Sequence, residues 1–321
     1  MKNRSDLTTL LTRTMDRRRL LGNLGLMGAG AALTACSSVI AQPNEDPDVD
    51  VAILNFALNL EYLEAEFYLA AVGRTASYES EVTGTVMANG PVDFTGTPDL
   101  EDLANEIADD EEAHVVFLRS ALGSAAVDRP NLDLRGGVGG AFGTAARAAG
   151  ATAGLDVATL DVLETFSPYT NGLFFLHGAF IFEDVGVTAY KGAAPLITDK
   201  GTLEAAAGIL AVEAYHAGEV RTQLYQERNT VAIPADAGGA GNVELTVQSI
   251  VGAISALRAA LGGGKDQSIV VDGRANIVVA DTNAIAYSRT PAEVLSIVFA
   301  GGVSGGLFFP NGVNGDFSAL L

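Results

Sequence analysis

Apolar residues recur at three- and four-residue intervals along four long stretches of the chain, and one glutamate interrupts the apolar stripe of each. Around Glu61 the shared face carries Leu54, Leu58, Ala65, Tyr68 and Val72. Around Glu111 it carries Leu100, Ala104, Ile107 and Leu118. Leu176, Ala179, Val187 and Tyr190 surround Glu183, and Ala206, Ile209, Leu210 and Val220 surround Glu213. This spacing predicts four helices, over about 48–73, from Thr97-Pro98-Asp99 to about 122, over about 170–192 and over about 199–228. Asp48 or Asp50 starts the first, and Thr97 followed by a first-turn proline starts the second. The short link between the third and fourth makes them antiparallel neighbours.

Residues 74–96 read as a long crossing loop, rich in Gly, Thr, Ser and Asn. Residues 123–169 are Gly- and Ala-rich and read as a long crossover with short helical pieces. After 230 the pattern changes. An amphipathic helix over 242–261 ends in Gly262-Gly263-Gly264, Thr290-Pro291-Ala292-Glu293 is a capping box opening a short apolar helix, and the last twenty residues read as coil. The fold class expected is all-α: a four-helix bundle over 48–228, with a long crossover between helices two and three, and a C-terminal helical and coil extension over 229–321 that wraps it.

A lone carboxylate in an apolar stripe is costly, and four together require a cation. Two of the glutamates begin Glu-x-x-His, as Glu111…His114 and Glu213…His216, and these use two of the three histidines in the chain. Residues three apart share a helix face, so each Glu and its His can address one ion. Each copy follows a Glu placed seven residues before a Tyr, Glu61…Tyr68 and Glu183…Tyr190. One Glu from each of two helices and a Glu-x-x-His from each of the other two is the ligand set of di-iron and di-manganese bundles. The metal-ligand candidates are therefore Glu61, Glu111, His114, Glu183, Glu213 and His216, holding two transition-metal ions, Fe or Mn.

The two halves overlay. Residues 60–68 match 182–190, and Glu111-Glu112-Ala113-His114 matches Glu213-Ala214-Tyr215-His216. Glu64 and Glu66 then fall opposite Gly186 and Thr188, and Glu112 falls opposite Ala214, which favours Glu61 and Glu111 as the ligands; Glu64 remains possible, because Ile53, Ala57, Leu60 and Phe67 give it an apolar flank too. Arg119 and Arg221 keep the same register, eight residues after each motif Glu. Tyr68 and Tyr190 are candidates for hydrogen-bonding a ligand carboxylate, with ordinary core tyrosines as the alternative. His177, with no glutamate at ligand spacing, reads as a core or helix-end histidine.

The first 38 residues read as an export leader and 39–47 as a linker. Arg17 and Arg18 lie in a twin-arginine pattern, an apolar run extends from Leu20 to Leu33, and Leu33-Thr34-Ala35-Cys36 looks like a bacterial lipobox. The expected partners are the twin-arginine export machinery and a lipid anchor at Cys36, which place the protein in the periplasm or cell envelope. Cys36 is the only cysteine and is better explained as a lipid attachment point than as a thiol catalyst; once lipidated, it leaves no free thiol and no disulfide. Residues 1–35 hold six of the 19 basic and two of the 39 acidic residues; the remaining 13 and 37 give a net charge of −24. Such a surface disfavours nucleic acid and anionic lipid.

The segments 55–68, 107–122, 182–196 and 211–221, and the stretch 277–298 with Ser288-Arg289-Thr290-Pro291, resemble the ferritin-like domain proteins related to desiccation-associated proteins. The resemblance covers about residues 48–315, implies a ferritin-like four-helix bundle, and implies the same six ligand positions. Two functional readings follow. One is an oxidoreductase-type metalloprotein, catalase-like or ferroxidase-like, that reduces peroxide or oxygen or oxidises Fe(II). The other is a non-enzymatic metal-binding or protective envelope lipoprotein, whose metal is structural or absent. Storage of iron in a closed shell fits poorly with a lipid anchor and a long tail.

Overall fold

A computed structural model describes residues 47–235 and 244–321. Arg17, Arg18 and Cys36, the leader residues, lie outside the described residues. In chain order the helices are α1 (Pro47–Ala71), α2 (Pro98–Leu122), α3 (Ala141–Thr152), α4 (Val157–Leu163), α5 (Gly172–Ala193), α6 (Lys200–Gln226), α7 (Val247–Leu261) and α8 (Pro291–Val298). The four long helices form the bundle: α1 packs along α2 and α5 along α6, and the two pairs meet through α1 on α5 and α2 on α6. The fold is all-α, with few strand residues.

α1 and α5 are apolar almost all round and fill the centre, whereas α2 turns an acidic face outward and α6 exposes mainly small residues and Tyr215. Gly172–Leu196 is the described helical stretch long and apolar enough to cross a membrane, but 83% of its apolar window is buried inside the protein. Phe67 of α1 anchors an aromatic cluster, with ring centroids 5.3 Å from Phe142, 5.8 Å from Phe175 and 5.5 Å from Phe182. Phe308, from the coil near the C-terminus, closes on Phe142 at 5.1 Å and on Phe182 at 4.9 Å. Each such fully buried ring stabilises the fold by roughly 1.5–3 kcal/mol.

Helix starts follow local chemistry, with two departures from expectation. Asn171 and Asp199 accept from the backbone N–H of Phe174 and Thr202, and Thr290 with Glu293 forms the expected capping box. Thr97 does not cap α2; its hydroxyl donates to the carbonyl of Phe94, because the chain enters the helix through a turn. Asp50 is turned away from its own helix. It accepts from Thr198 N and Asp199 N, and so ties α1 to the start of α6.

Both long connections carry short strands that no periodic pattern announces. β1 (Val86–Ala88) pairs in parallel with β2 (Leu132–Leu134), which fastens the first loop to the crossover. β3 (Val231–Ile233) pairs with β4 (Leu245–Thr246), and β5 (Val270–Val271) with β6 (Arg274–Ala275). The extension after α6 lies against the bundle, α7 contacting α3, α5 and α6 and α8 contacting α5.

Candidate metal centre

Glu61 of α1, Glu111 and His114 of α2, Glu183 of α5, and Glu213 and His216 of α6 converge in the middle of the bundle. The four carboxylates are at most 1% exposed. His114 Nδ1 lies 3.1 Å from Glu61 Oε2, 3.5 Å from Glu111 Oε2 and 3.9 Å from Glu213 Oε1. His216 Nδ1 lies 3.0 Å from Glu111 Oε1 and 3.7 Å from Glu183 Oε2. Two groups result, one built on His114 and the other on His216, and Glu111 reaches both. Ligand atoms of Glu61, Glu111, His114 and Glu213 all lie within 4.8 Å of one another.

The donor set fits two cations. Glu111 Oε2, Glu183 Oε2, both oxygens of Glu213 and His216 Nδ1 are buried without a hydrogen-bond partner. The proximity of His216 Nδ1 to Glu111 is therefore a charge contact without hydrogen-bond geometry. Unpaired buried carboxylate oxygens are costly, and shared metal ions are the partner that four glutamates and two imidazoles can accept together.

The tyrosines cross between the helix pairs. Tyr68 of α1 donates to Glu183 Oε1 of α5, and Tyr190 of α5 donates to Glu61 Oε1 of α1. The exchange has the two-fold character of the sequence overlay, and the same symmetry governs the flanking arginines. Arg119 donates to Tyr62 at 2.7 Å, and Arg221 donates to Asp184, the overlay counterpart of Tyr62, at 2.8 Å.

Two residues join the site beyond the six. The overlay favoured Glu61 over Glu64 but left Glu64 possible, and the structure places Glu64 near the other carboxylates. Its side chain is buried beside the cluster, one turn after Glu61, where burial first, then the charges of Glu111, Glu183 and Glu61, push its carboxyl well above the usual range. Its apolar flank was the signal that favoured it. Asp110 accepts from His216 Nε2 at 3.2 Å and so orients the ring whose Nδ1 faces Glu111. In sequence Asp110 is one of four consecutive acidic residues, and nothing marks it out. Glu66 and Glu112 are engaged elsewhere, Glu66 by Arg129 and Glu112 by Arg74 at 2.8 Å. His177 is a buried core residue away from the cluster.

Gly186, opposite Glu64 in the overlay, supplies the space that the site needs. A Cβ there would collide with Glu213 Oε2, come 3.0 Å from Glu213 Cδ and 3.4 Å from Glu64 Oε1. Gly186→Ala is expected to push Glu213 off its position and to lower bound metal from two ions to one or fewer per chain, with helix content retained. Metal analysis and far-UV circular dichroism check this, and two tightly held ions in the variant would refute it.

Charge in the metal-free cluster is settled by protons. Burial raises Glu61 from 4.5 to about 7 and Glu183 from 4.5 to about 8, and raises Glu213 well above its usual range. Burial also pushes Glu111 up, but the close approach of the His114 and His216 rings outweighs it and holds Glu111 at about 2. Burial disfavours charge on the rings, yet the surrounding carboxylates lift His114 to about 11 and His216 to about 10.

The sign of the linkage follows from these values. Glu61 and Glu183 contribute stability that is complete below pH 4.5 and is lost as pH rises through 7 and 8. The histidines contribute stability that is complete below pH 6.5 and is lost as pH rises through 10 and 11. Glu111 acts oppositely, but only below pH 4.5. The Tm of EDTA-treated protein should therefore fall between about pH 6 and pH 9. Added Mn2+ should flatten or reverse the slope, because ligation requires the deprotonated groups. A flat or rising Tm in the metal-free protein would contradict this charge assignment.

The ferritin-like domain family matches residues 49–226, more than half of the chain, and the chain belongs to this family. Among characterised proteins, it is similar to a ferritin-like catalase of Nesocodon mauritianus, 28% identical over 84% of this chain and 84% of that protein. It is also similar to a desiccation-related protein of Craterostigma plantagineum, 29% identical over 96% of this chain and 97% of that protein. No solved structure matches the chain significantly.

Proposed function

We propose that this protein is a di-metal carboxylate enzyme, with manganese or iron at the Glu/His cluster, that disproportionates hydrogen peroxide. The observation that carries the reading is the set of buried, unpartnered glutamate oxygens and imidazole nitrogen from α2, α5 and α6, which meet Glu61 of α1 in the middle of the bundle. When bound, the two cations supply a redox pair that can exchange electrons with peroxide; two molecules of hydrogen peroxide become two of water and one of dioxygen, so no outside donor is required. The chain's own contribution is positioning. Tyr68 and Tyr190 hold Glu183 and Glu61, Asp110 orients His216, and the packed stripes around the glutamates keep bulk water from the carboxylates. The side chains of His114 and His216 are 11% and 7% exposed, so the histidine edge is the way in for a molecule as small as peroxide. The likeness to a protein named a catalase supports this reading.

A second reading keeps the metal and removes turnover: a protective protein in which the ions brace the bundle. The likeness to a desiccation-related protein along nearly the full chain, extension included, favours it. One experiment separates the two: metal content of the purified protein, followed by peroxide consumption and oxygen release. Two transition-metal ions per chain with oxygen evolution support the enzyme. Two ions without it support the protective role, and absence of metal under Mn2+ and Fe2+ supplementation defeats both.

We also propose export by the twin-arginine route and lipid attachment at Cys36, supported by the pattern at Arg17 and Arg18 and by the residues preceding the lone cysteine. Incorporation of labelled palmitate that is lost in Cys36→Ser is the expected result.

A further inference from the structure

Apart from the metal cluster, α3, α5 and α7 enclose an apolar cavity of about 50 Å³, partly open to solvent and flanked by β3 and β4. Ala146, Leu155, Phe174 and Ile250 line it while remaining only partly buried, and none of the six ligand candidates borders it. The space holds roughly three or four water-sized spheres, and its walls are mostly apolar side chains, which suits a small aliphatic ligand.

Three polar side chains interrupt the apolar lining; Ser249 Oγ donates to Thr246 O at 2.7 Å, and the other two, His177 and Arg258, each have an unused atom. His177 is 1% exposed, and its Nδ1–H donates to the carbonyl of Leu173 at 2.8 Å. Its Nε2 has no partner. With Nδ1 carrying the proton, Nε2 can only accept. Burial holds the ring neutral, lowering its pKa to about 4. Arg258, 2% exposed, bonds to the carbonyl of Phe180, one turn further along α5, and to Asp184 at 2.8 Å and Asp266 at 2.9 Å, but its Nε–H is unpartnered.

We propose that this cavity binds a slender aliphatic molecule bearing one hydroxyl, whose O–H donates to His177 Nε2 and whose oxygen accepts from Arg258 Nε. A hydroxyl is the small group that satisfies both atoms at once. A hydrocarbon would leave both unmet, and a carboxylate would set its oxygens against the His177 lone pair. Arg258 already has carboxylate partners in Asp184 and Asp266, and the atom left over is a single N–H, which a neutral oxygen can satisfy. A site with a buried acceptor rejects an analogue that lacks the donor far more strongly than it rejects a change of chain length.

The test uses the full chain with 1-hexanol and pentyl methyl ether, which match in length and differ in the O–H. Titration calorimetry and NMR shifts should show saturable 1:1 binding of hexanol at least ten-fold tighter than of the ether. Hexanoate should bind more weakly than hexanol. His177→Phe should remove the preference for alcohol over ether. Ala146→Trp, which fills the slot from a partly exposed position, should weaken both ligands by at least ten-fold while metal content and far-UV dichroism stay unchanged. Equal binding of alcohol and ether by the unaltered protein would overturn the proposal. So would absence of saturable binding, the result expected if ordered water alone meets His177 and Arg258, or a preference that survives in His177→Phe.

Discussion

Glu111→Ala should abolish paired metal binding, with metal content falling from two ions to below one per chain and peroxide turnover falling by more than about 100-fold. The size follows from position. Glu111 is the carboxylate that approaches both imidazoles, 3.5 Å from His114 Nδ1 and 3.0 Å from His216 Nδ1. It is also the member of the cluster held ionised without metal, at about 2, by the same two rings. Loss of a residue that merely orients a ligand costs roughly 10–100-fold in affinity or activity, so loss of a ligand common to both positions exceeds that range. Glu111→Gln keeps the volume and loses the charge, and should behave like the alanine variant. Glu112→Ala, one residue away but paired with Arg74 at the surface, should keep both ions and full turnover. Metal analysis and an oxygen electrode provide the readout. Two ions retained in Glu111→Ala would remove it from the centre, whatever the activity showed.

Much of this site could be read from periodicity, because four apolar stripes with one glutamate each leave few ways to fold. The stripes locate the bundle helices to within a few residues of Pro47–Ala71, Pro98–Leu122, Gly172–Ala193 and Lys200–Gln226. The same stripes bring the six Glu and His candidates, and the tyrosines that reach across to them, to one place. The symmetry argument says least about Glu64, which it disfavoured but left possible. It assumed that matched positions do matched work, so Gly186 counted against its counterpart. The halves are not equivalent there: the missing side chain at Gly186 is the room that Glu213 and Glu64 occupy. Asp110 was hidden because it faces the other helix pair, and contacts across pairs leave no trace in the spacing of one helix. The three-residue ladder of β1 with β2 was hidden because a strand that short has no period to detect. The turning of Asp50 toward α6 depends on tertiary placement in the same way.

The second large effect concerns the junction between the bundle and its extension, where Asp184 sits next to Glu183 on α5. Three arginines, Arg221, Arg258 and Arg289, and two aspartates, Asp184 and Asp266, are almost fully buried there. Asp184 accepts from Arg221 and Arg258, both at 2.8 Å. Asp266 accepts from Arg258 and Arg289, both at 2.9 Å. Further guanidinium donors go to oxygens on α5 and in the extension, Thr188 Oγ1 at 2.7 Å, Lys265 O at 2.6 Å and Asn276 O at 2.7 Å, while the Nε–H groups of the three arginines have no partner. Cations exceed anions by one, and burial already pulls Arg289 below its ordinary range. Asp184→Ala would leave Arg221 and Arg258 facing each other across the gap with half of their compensation gone. Breaking a buried pair from one side costs about 3–5 kcal/mol, so the urea midpoint should drop accordingly. The loss should be partly recovered in the double variant Asp184→Ala with Arg258→Met, because an apolar replacement of both partners removes the stranded charge. Bound metal should fall in the single variant as well, since Glu183 is carried by the turn that these arginines fasten. A single variant within about 1 kcal/mol of the parent, or a double variant less stable than the single, would mean that the arginines are held by the backbone carbonyls and that Asp184 is dispensable to the junction.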